Sequence, residues 1–146
     1  MADLSEDLSN ALFWARIIAG RLGVDEILPE HIVVGAFNPP LFMEGDSEPL
    51  QTVLRLPLTF AEDLSRLLGI ETSYASEMPH GDLPLNAQSR DLIEAANLIS
   101  AQHAQERVNA LHFLLAAIRE TAEIRNILQT AGLTEMGVER ALSEKR

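Results

Sequence analysis

The chain has 146 residues, and its 22 acidic and 11 basic side chains give a net charge of −11 at pH 7. This balance disfavours a nucleic-acid-binding protein, which must neutralise phosphates, and it disfavours binding to an anionic membrane surface. Cysteine is absent, which excludes disulfides, thiolate metal ligands and a cysteine nucleophile. The start, MADLSEDLSN, lacks the order of a signal peptide, and no apolar run approaches the roughly 18 residues that span a bilayer, so we expect a cytoplasmic protein.

The first predicted helix begins after Ser5. The hydroxyl of Ser5 is suited to an N-cap, and the acidic residues that follow it complement the helix dipole. Gly23 is placed to end this helix. Apolar residues recur between these two points at helical spacing, at Leu8, Leu12, Ala15, Ile18, Ala19 and Leu22.

Three shorter helices are predicted in the rest of the first half. Pro29 suits the first turn of a short buried helix over residues 32–37, which Asn38-Pro39-Pro40 ends. A loop rich in turn formers runs to about Pro49, and residues 50–55 are predicted to form a short helix. Thr59 is a candidate N-cap for a further helix over residues 60–68, which Gly69 closes.

A linker and a second set of helices follow. Residues 71–84 have no apolar period and are predicted to join two halves. Asn86 is suited to cap a long helix with apolar residues at Leu92, Ile93, Ala96 and Ile99, and Asn109 to cap a short one over residues 111–118. A helix over residues 124–131 ends at Gly132, and Thr134 caps the last helix, which ends near Leu142.

The two halves carry related sequences. LPEHIVVGAF (28–37) resembles NALHFLLAAI (109–118), and an offset of 81 residues (112 − 31 = 81) aligns residues 4–37 with 85–118 without a gap. The identical pairs are Leu4/Leu85, Ala15/Ala96, Ile18/Ile99, His31/His112 and Ala36/Ala117. We therefore expect a single all-α domain over 1–146, built of two tandem four-helix repeats at about 4–70 and 85–144 that bury their apolar faces against each other about a pseudo-twofold axis.

The ordered set of motifs resembles the Clp N-terminal domain, the double repeat at the front of Clp/ClpB-type AAA+ unfoldases. The segments that carry the resemblance are PEHIVVGAF (29–37), LHFLLAAI (111–118) and ILQTAGLT (127–134). The resemblance covers about residues 4–142. It implies a chaperone or protease context in which a non-catalytic domain binds unfolded or tagged protein segments, or adaptor proteins, and delivers them to an ATPase ring. The chain itself has no Gly-x-x-x-x-Gly-Lys-Ser/Thr phosphate-binding loop.

The resemblance also implies candidate binding residues. In ClpC relatives a glutamate before each repeat histidine takes part in recognising phosphorylated arginine; Glu30 matches the first and Leu111 replaces the second, while Pro29 and Ala110 replace the threonine before each. Only half of such a site is therefore implied. In ClpB relatives an apolar groove on the second repeat holds unfolded segments beside a hydroxyl group. The residues that map onto the groove and the hydroxyl are Ile93, Ala95, Ile99, His112 and Ser5.

The residues leave other interpretations open. We expect His31 and His112 to be structural, hydrogen-bonded to the neighbouring repeat, because neither has a second ligand at i+4 or a nucleophile motif; no metal and no cofactor are expected. A small enzyme using Glu30 and His31 remains an alternative, although adjacent helical residues point about 100° apart. A free-standing accessory subunit of a Clp protease and a helix-turn-helix regulator are two more. The remaining residues considered are His80 and His103, expected in the linker and at a helix end; Phe13 and Trp14, expected in the core; and Phe42 and Met43, equally suited to packing and to recognition.

Overall fold

The structure is a computed structural model that describes residues 4–21, 23–37, 50–57, 59–69, 84–102 and 107–144. These ranges contain eight helices and no strand, which confirms the predicted all-α class. The helices are α1 (Glu6–Arg21), α2 (Pro29–Ala36), α3 (Leu50–Val53), α4 (Phe60–Leu68), α5 (Ala87–Gln102), α6 (Ala110–Glu120), α7 (Ala122–Ala131) and α8 (Glu135–Glu144). None of these helices combines the length and the apolar character that a membrane span requires. Some predicted features lie outside the described residues, namely Leu22, the loop with Phe42 and Met43, His80, His103 and nearly all of the 71–84 linker.

Most helix ends follow the local signals of the sequence, although the side chain of the predicted N-cap Thr59 accepts no backbone N–H of α4. Asn86 caps α5 by accepting the Ser89 N–H on its Oδ1 at 2.7 Å. Gly69 and Gly132 follow α4 and α7 with φ of 69° and 113°, the left-handed conformation that ends a helix and favours glycine. Gly23, after α1, also has a positive φ of 74°. Caps and stops act over one turn of chain, so the sequence alone places these boundaries closely.

The offset of 81 residues superposes the bounds of the paired helices. When 81 is added to the residue numbers, the bounds of α1 become those of α5. In the same way, Pro29, the first residue of α2, aligns with Ala110, the first residue of α6. Beyond α6 the buried positions continue at a smaller offset of 74, as for Leu54 with Leu128 and Leu64 with Val138 (128 − 54 = 74; 138 − 64 = 74). The difference of 7 residues (81 − 74) falls in the segment after α2, where the sequence of the first half is longer.

Two isolated parallel bridges join the halves in a reciprocal way. Leu4 pairs with Val108, and Leu85 pairs with Ile27. Under the 81-residue offset each partner in one bridge becomes its counterpart in the other. The backbone hydrogen bonds match too: the Ser5 N–H donates to the Val108 carbonyl at 2.9 Å, and the Asn86 N–H donates to the Ile27 carbonyl at 3.0 Å. Such exchange of partners is what a twofold axis between the repeats produces.

The core forms around α6 and around a close approach of α1 to α2. Every residue of α6 from Ala110 to Ile118 is buried, and this helix contacts α1, α2, α5, α7 and α8. In the first repeat, α2 packs on α1 at Gly35, where an added Cβ would overlap the Ala11 carbonyl oxygen and lie 3.2 Å from the Ala15 nitrogen. The repeats thus bury their apolar faces around α2 and α6, each of which contacts helices of both repeats. The outer face of α5 lies toward the surface.

Candidate peptide-binding groove on the second repeat

The two repeat histidines are buried caps of their own helices. His31 is 2% exposed and His112 is 0% exposed. The Nδ1 atoms of His31 and His112 accept the backbone N–H of Leu28 and Asn109, respectively, at 3.0 Å in each case. In return the His31 N–H donates to the Leu28 carbonyl at 3.0 Å, and the His112 N–H to Asn109 Oδ1 at 3.0 Å. Each histidine therefore satisfies a helix-start donor that would otherwise be unpaired, as a glutamate does in a capping box.

This arrangement corrects one expectation and bears on another. The prediction that the histidines bond to the neighbouring repeat is wrong for the Nδ1 atoms, whose hydrogen bonds lie within their own helix starts. An Nδ1 that accepts fixes the neutral tautomer with its proton on Nε2. Burial lowers the pKa of His31, which also favours the neutral ring. A ring buried in this way has no open face to offer a substrate, which disfavours the alternative of an enzyme using Glu30 and His31.

Ser5 belongs to a polar seam between the repeats. Its hydroxyl donates to Asp7 Oδ1, and the same oxygen accepts the N–H of Ala110, the first residue of α6, at 3.3 Å. The symmetry-related contact, between the start of α5 and the start of α2, lacks this hydrogen bond for a chemical reason. The first residue of α2 is Pro29, which has no N–H to donate, so the position aligned with Asp7 needs no acceptor and is occupied by Gln88.

Glu30 is half-buried at the first turn of α2. Desolvation raises the pKa of its carboxyl group, and the negative charge of Glu123, at the start of α7, raises it further, while a backbone hydrogen bond acts in the opposite direction. The influence of Glu123 places Glu30 near the junction of α6 and α7. The described residues contain no cluster of three histidine or carboxylate side chains that could hold a metal ion.

A groove of about 430 Å³ lies between the outer face of α5 and the junction of α6 and α7. Its apolar part consists of Leu92, which is 2% exposed and forms the floor, Ala95, and Leu98, which is 65% exposed at the edge. The polar part consists of Gln88, Asp91, Glu94, Glu120 and Thr121. The Gln88 amide and the Thr121 hydroxyl, 3.5 Å apart, connect the two walls. The α5 residues recur every three or four positions, so they form one stripe of the helix.

The aligned repeats differ in side-chain size at the groove positions of α5. The 81-residue offset pairs Ala95 with Trp14 and Glu94 with Phe13. In the first repeat these two aromatic rings pack edge to face with centroids 6.3 Å apart, and the guanidinium of Arg16 lies 5.2 Å above the Phe13 ring. Phe13 and Trp14 are thus partly buried and do not belong to the central core, where they were expected. Where the first repeat carries the indole ring of Trp14, the second carries the single methyl group of Ala95, which lines the groove.

The predicted binding residues divide between this groove and other places. Ala95 lines the groove, whereas Glu30, at the first turn of α2, is not among its lining residues. Ile93 packs against the core and Ile99 is buried, so neither lines the groove. Ser5 lies beside the start of α6, and His112 lies about 12 Å from the groove end of this helix by helical rise. The buried His112 ring cannot touch a peptide in the groove. Sequence reasoning did not identify the groove residues Gln88, Asp91, Leu92, Glu94, Leu98, Glu120 and Thr121. The size difference between Trp14 and Ala95 was the available signal.

Comparison with known proteins identifies the class of fold first. No protein-family model matches the sequence, and no curated protein matches it. Solved structures do match, over nearly the whole chain, and they share the all-α double-repeat architecture. The chain has the fold of the Clp and Hsp104 N-terminal domains, as the motifs predicted.

Three solved structures define the similarity. The N-terminal domain of the chaperone ClpD from Arabidopsis thaliana has a TM-score of 0.68 and 15% identity, and the match covers 97% of this chain and 96% of that one. The Hsp104 N-terminal domain from Candida albicans has a TM-score of 0.67 and 19% identity, with 99% and 91% covered. A structure from preliminary investigations of a malarial protein secretion system has a TM-score of 0.72 and 16% identity, with 99% and 95% covered.

Proposed function

We propose that this chain is a non-catalytic recognition domain of a Clp-type chaperone or protease system, and that it binds extended apolar segments of unfolded or tagged proteins in the groove on the second repeat. One observation carries the proposal. The groove is open in the repeat where alanine stands in place of tryptophan, and it presents an exposed leucine, Leu98, beside a buried apolar floor. A concave surface of this kind suits the alternate side chains of an extended peptide.

The remaining features support recognition over catalysis. The two histidines that could have acted as bases have their Nδ1 atoms bound to backbone amides, and both rings are buried. The groove itself contains carboxylates, an amide, a hydroxyl and apolar groups, with no histidine or lysine among its lining residues. Such a surface offers contact area and hydrogen bonds, which is what a binding module needs.

The test places a large side chain in the groove. Ala95→Trp introduces the residue found at the aligned position Trp14, and Ala101→Trp places the same side chain on an exposed position of α5 outside the groove. The assay is fluorescence anisotropy of a labelled, uncharged peptide of alternating leucine and serine. Burial of one leucine stabilises a complex by about 1.5–3 kcal/mol, so the loss of one such contact weakens binding by about tenfold or more.

We expect the unmodified chain and the Ala101→Trp variant to bind the peptide, and the Ala95→Trp variant to lose at least about tenfold in affinity. Leu98→Asn, which removes the exposed apolar contact without adding bulk, should weaken binding as well. Far-ultraviolet circular dichroism of each variant checks that the helices are retained. Equal binding by the unmodified chain and both groove variants would contradict the proposed site.

A second form of the function is a free-standing accessory subunit that binds a Clp ATPase or its adaptor. The two forms differ in what occupies the domain, and competition distinguishes them. A Clp ring or adaptor that binds at the groove should displace the labelled peptide, and it should lose affinity for the Ala95→Trp variant. A partner that binds elsewhere should do neither.

A further inference from the structure

We propose that the groove selects apolar segments that also carry lysine or arginine, because its charged rim is entirely acidic. This inference rests on the proposed function and specifies the chemistry of the peptide. Asp91 and Glu94 line the α5 side of the groove, and Glu120 lines the opposite side at the end of α6. All three side chains belong to exposed residues, and none of the lining residues is basic.

Within the described part of the chain, these carboxylates are not used to hold the fold together. The ion pairs there join Arg55 to Glu144, Arg66 to Asp63, and Arg119 to both Glu135 and Glu139. Arg119 precedes Glu120 in the chain, yet its guanidinium reaches α8, with a shortest distance of 2.7 Å to Glu139. Arg90 lies one turn before Glu94 on α5 and does not line the groove. The rim therefore presents negative charge on both walls.

The geometry places these charges where a peptide side chain would meet them. Asp91 and Glu94 are one turn apart on α5 and flank Leu92 and Ala95, so an apolar group that rests on the floor brings its neighbours to the carboxylates. Successive side chains of an extended peptide point to opposite sides. The neighbours of an apolar side chain on the floor therefore point away from the floor, and the long, flexible stem of a lysine or arginine lets its charged end reach the carboxylates of Asp91, Glu94 or Glu120 at the rim. A long lysine or arginine stem also adds apolar contact along the groove.

The overall charge of −11 would attract any cationic peptide weakly, so the experiment must separate this long-range attraction from the groove. The groove variant is the triple change Asp91→Asn, Glu94→Gln and Glu120→Gln. The matched control neutralises three exposed acids outside the groove: Asp25→Asn, Glu26→Gln and Glu62→Gln. Both variants change the net charge by the same amount.

The probes are three labelled peptides with the same leucines, in which the serines between them are kept, replaced by lysine, or replaced by glutamate. An exposed ion pair changes affinity by about 1.5- to 5-fold, so two or three pairs should make the lysine peptide bind about tenfold more tightly than the serine peptide. The glutamate peptide should bind most weakly. The difference should shrink in about 1 M salt, where the screening length falls to about 3 Å.

In the groove variant, we expect the preference for lysine to fall below about twofold while the serine peptide binds as before. In the matched control, the preference should persist. Equal affinities of the three peptides for the unmodified chain would overturn the charge selection and leave apolar recognition standing. An equal loss of preference in both variants would assign it to net charge and overturn the role of the rim. Failure of every peptide to bind would instead count against the proposed function itself.

Discussion

Replacement of Gly35 by alanine tests the packing of α1 on α2 most sharply. A Cβ at this position would overlap the Ala11 carbonyl oxygen and would lie 3.2 Å from both the Ala15 nitrogen and the Trp14 Cβ. Two of these neighbours are backbone atoms, so the helices must move apart. Overpacking of this kind costs about 1–3 kcal/mol. Because backbone atoms must move, we expect a cost at the upper end of this range, about 2–3 kcal/mol. Alanine regains about 1 kcal/mol of helix propensity over glycine, so the expected net loss in the free energy of unfolding is about 1–2 kcal/mol.

The control is the same substitution in α8. A Cβ on Gly137 would meet the Thr134 Oγ1 at 3.5 Å and the Leu133 Cδ1 at 3.9 Å, which are ordinary contacts. Gly137→Ala should therefore raise stability by about 0.5–1 kcal/mol. Urea denaturation followed by circular dichroism measures both, and the Gly35→Ala midpoint should fall by about 0.5–1 M at an unchanged slope. If Gly35→Ala raised the midpoint as Gly137→Ala does, the close approach of α1 and α2 would be refuted.

Three further predictions concern single polar groups. Folding lowers the pKa of His31, so at a pH below about 6.5 the unfolded chain is protonated at this residue while the folded chain is not. The free energy of unfolding should therefore fall as the pH drops below about 6.5, by at most about 1.4 kcal/mol per pH unit. In His31→Gln, urea midpoints measured over this pH range should change less with pH. Asp7→Ala should lower the free energy of unfolding by about 0.5–2 kcal/mol, because it removes the acceptor for the Ala110 N–H. Gln88→Ala, at the aligned position, should lower it by less than about 0.5 kcal/mol. Equal losses in the two variants would contradict the role of the Asp7 hydrogen bond. The pKa of Glu30 is raised in the folded chain, so its ionised form opposes folding at neutral pH. Glu30→Gln should therefore raise the urea midpoint at pH 7, and it should have no such effect below about pH 4, where the carboxyl group is protonated. A lower midpoint at pH 7 would contradict this.

Much of the fold could be predicted from the sequence because its signals are local or repeated. The predicted N-caps directly precede the observed starts of α1, α5 and α6; they are Ser5, Asn86 and Asn109. Gly69 and Gly132 directly follow α4 and α7. The repeated histidine set the offset that pairs α1 with α5. The repeat boundaries at 4–70 and 85–144 stay a prediction, since residues 70–83 lie outside the described part.

The candidate site was harder to predict because it depends on differences between the repeats. The family resemblance pointed to Ile93 and Ile99, but both side chains turn toward the core, where α5 packs on α6. The groove combines a small residue, Ala95, with an exposed one, Leu98. Whether Leu98 is exposed depends on which helices pack over α5, and this is a property of the tertiary structure that the local sequence does not encode. The hydrogen bond that the Ala110 N–H donates to Asp7 joins residues 103 positions apart, and no local sequence pattern encodes it.

The central proposal is that peptide recognition belongs to the second repeat alone, because the first repeat carries Phe13 and Trp14 at the positions where the second carries the groove residues Glu94 and Ala95. A titration of the isotope-labelled chain with the leucine and lysine peptide, followed by amide chemical shifts in two-dimensional NMR, tests this directly. We expect the signals of Ala95, Leu98, Glu120 and Thr121 to move together, while those of Phe13 and Trp14 stay in place. Movement centred on Phe13 and Trp14, with the α5 signals unchanged, would contradict the claim.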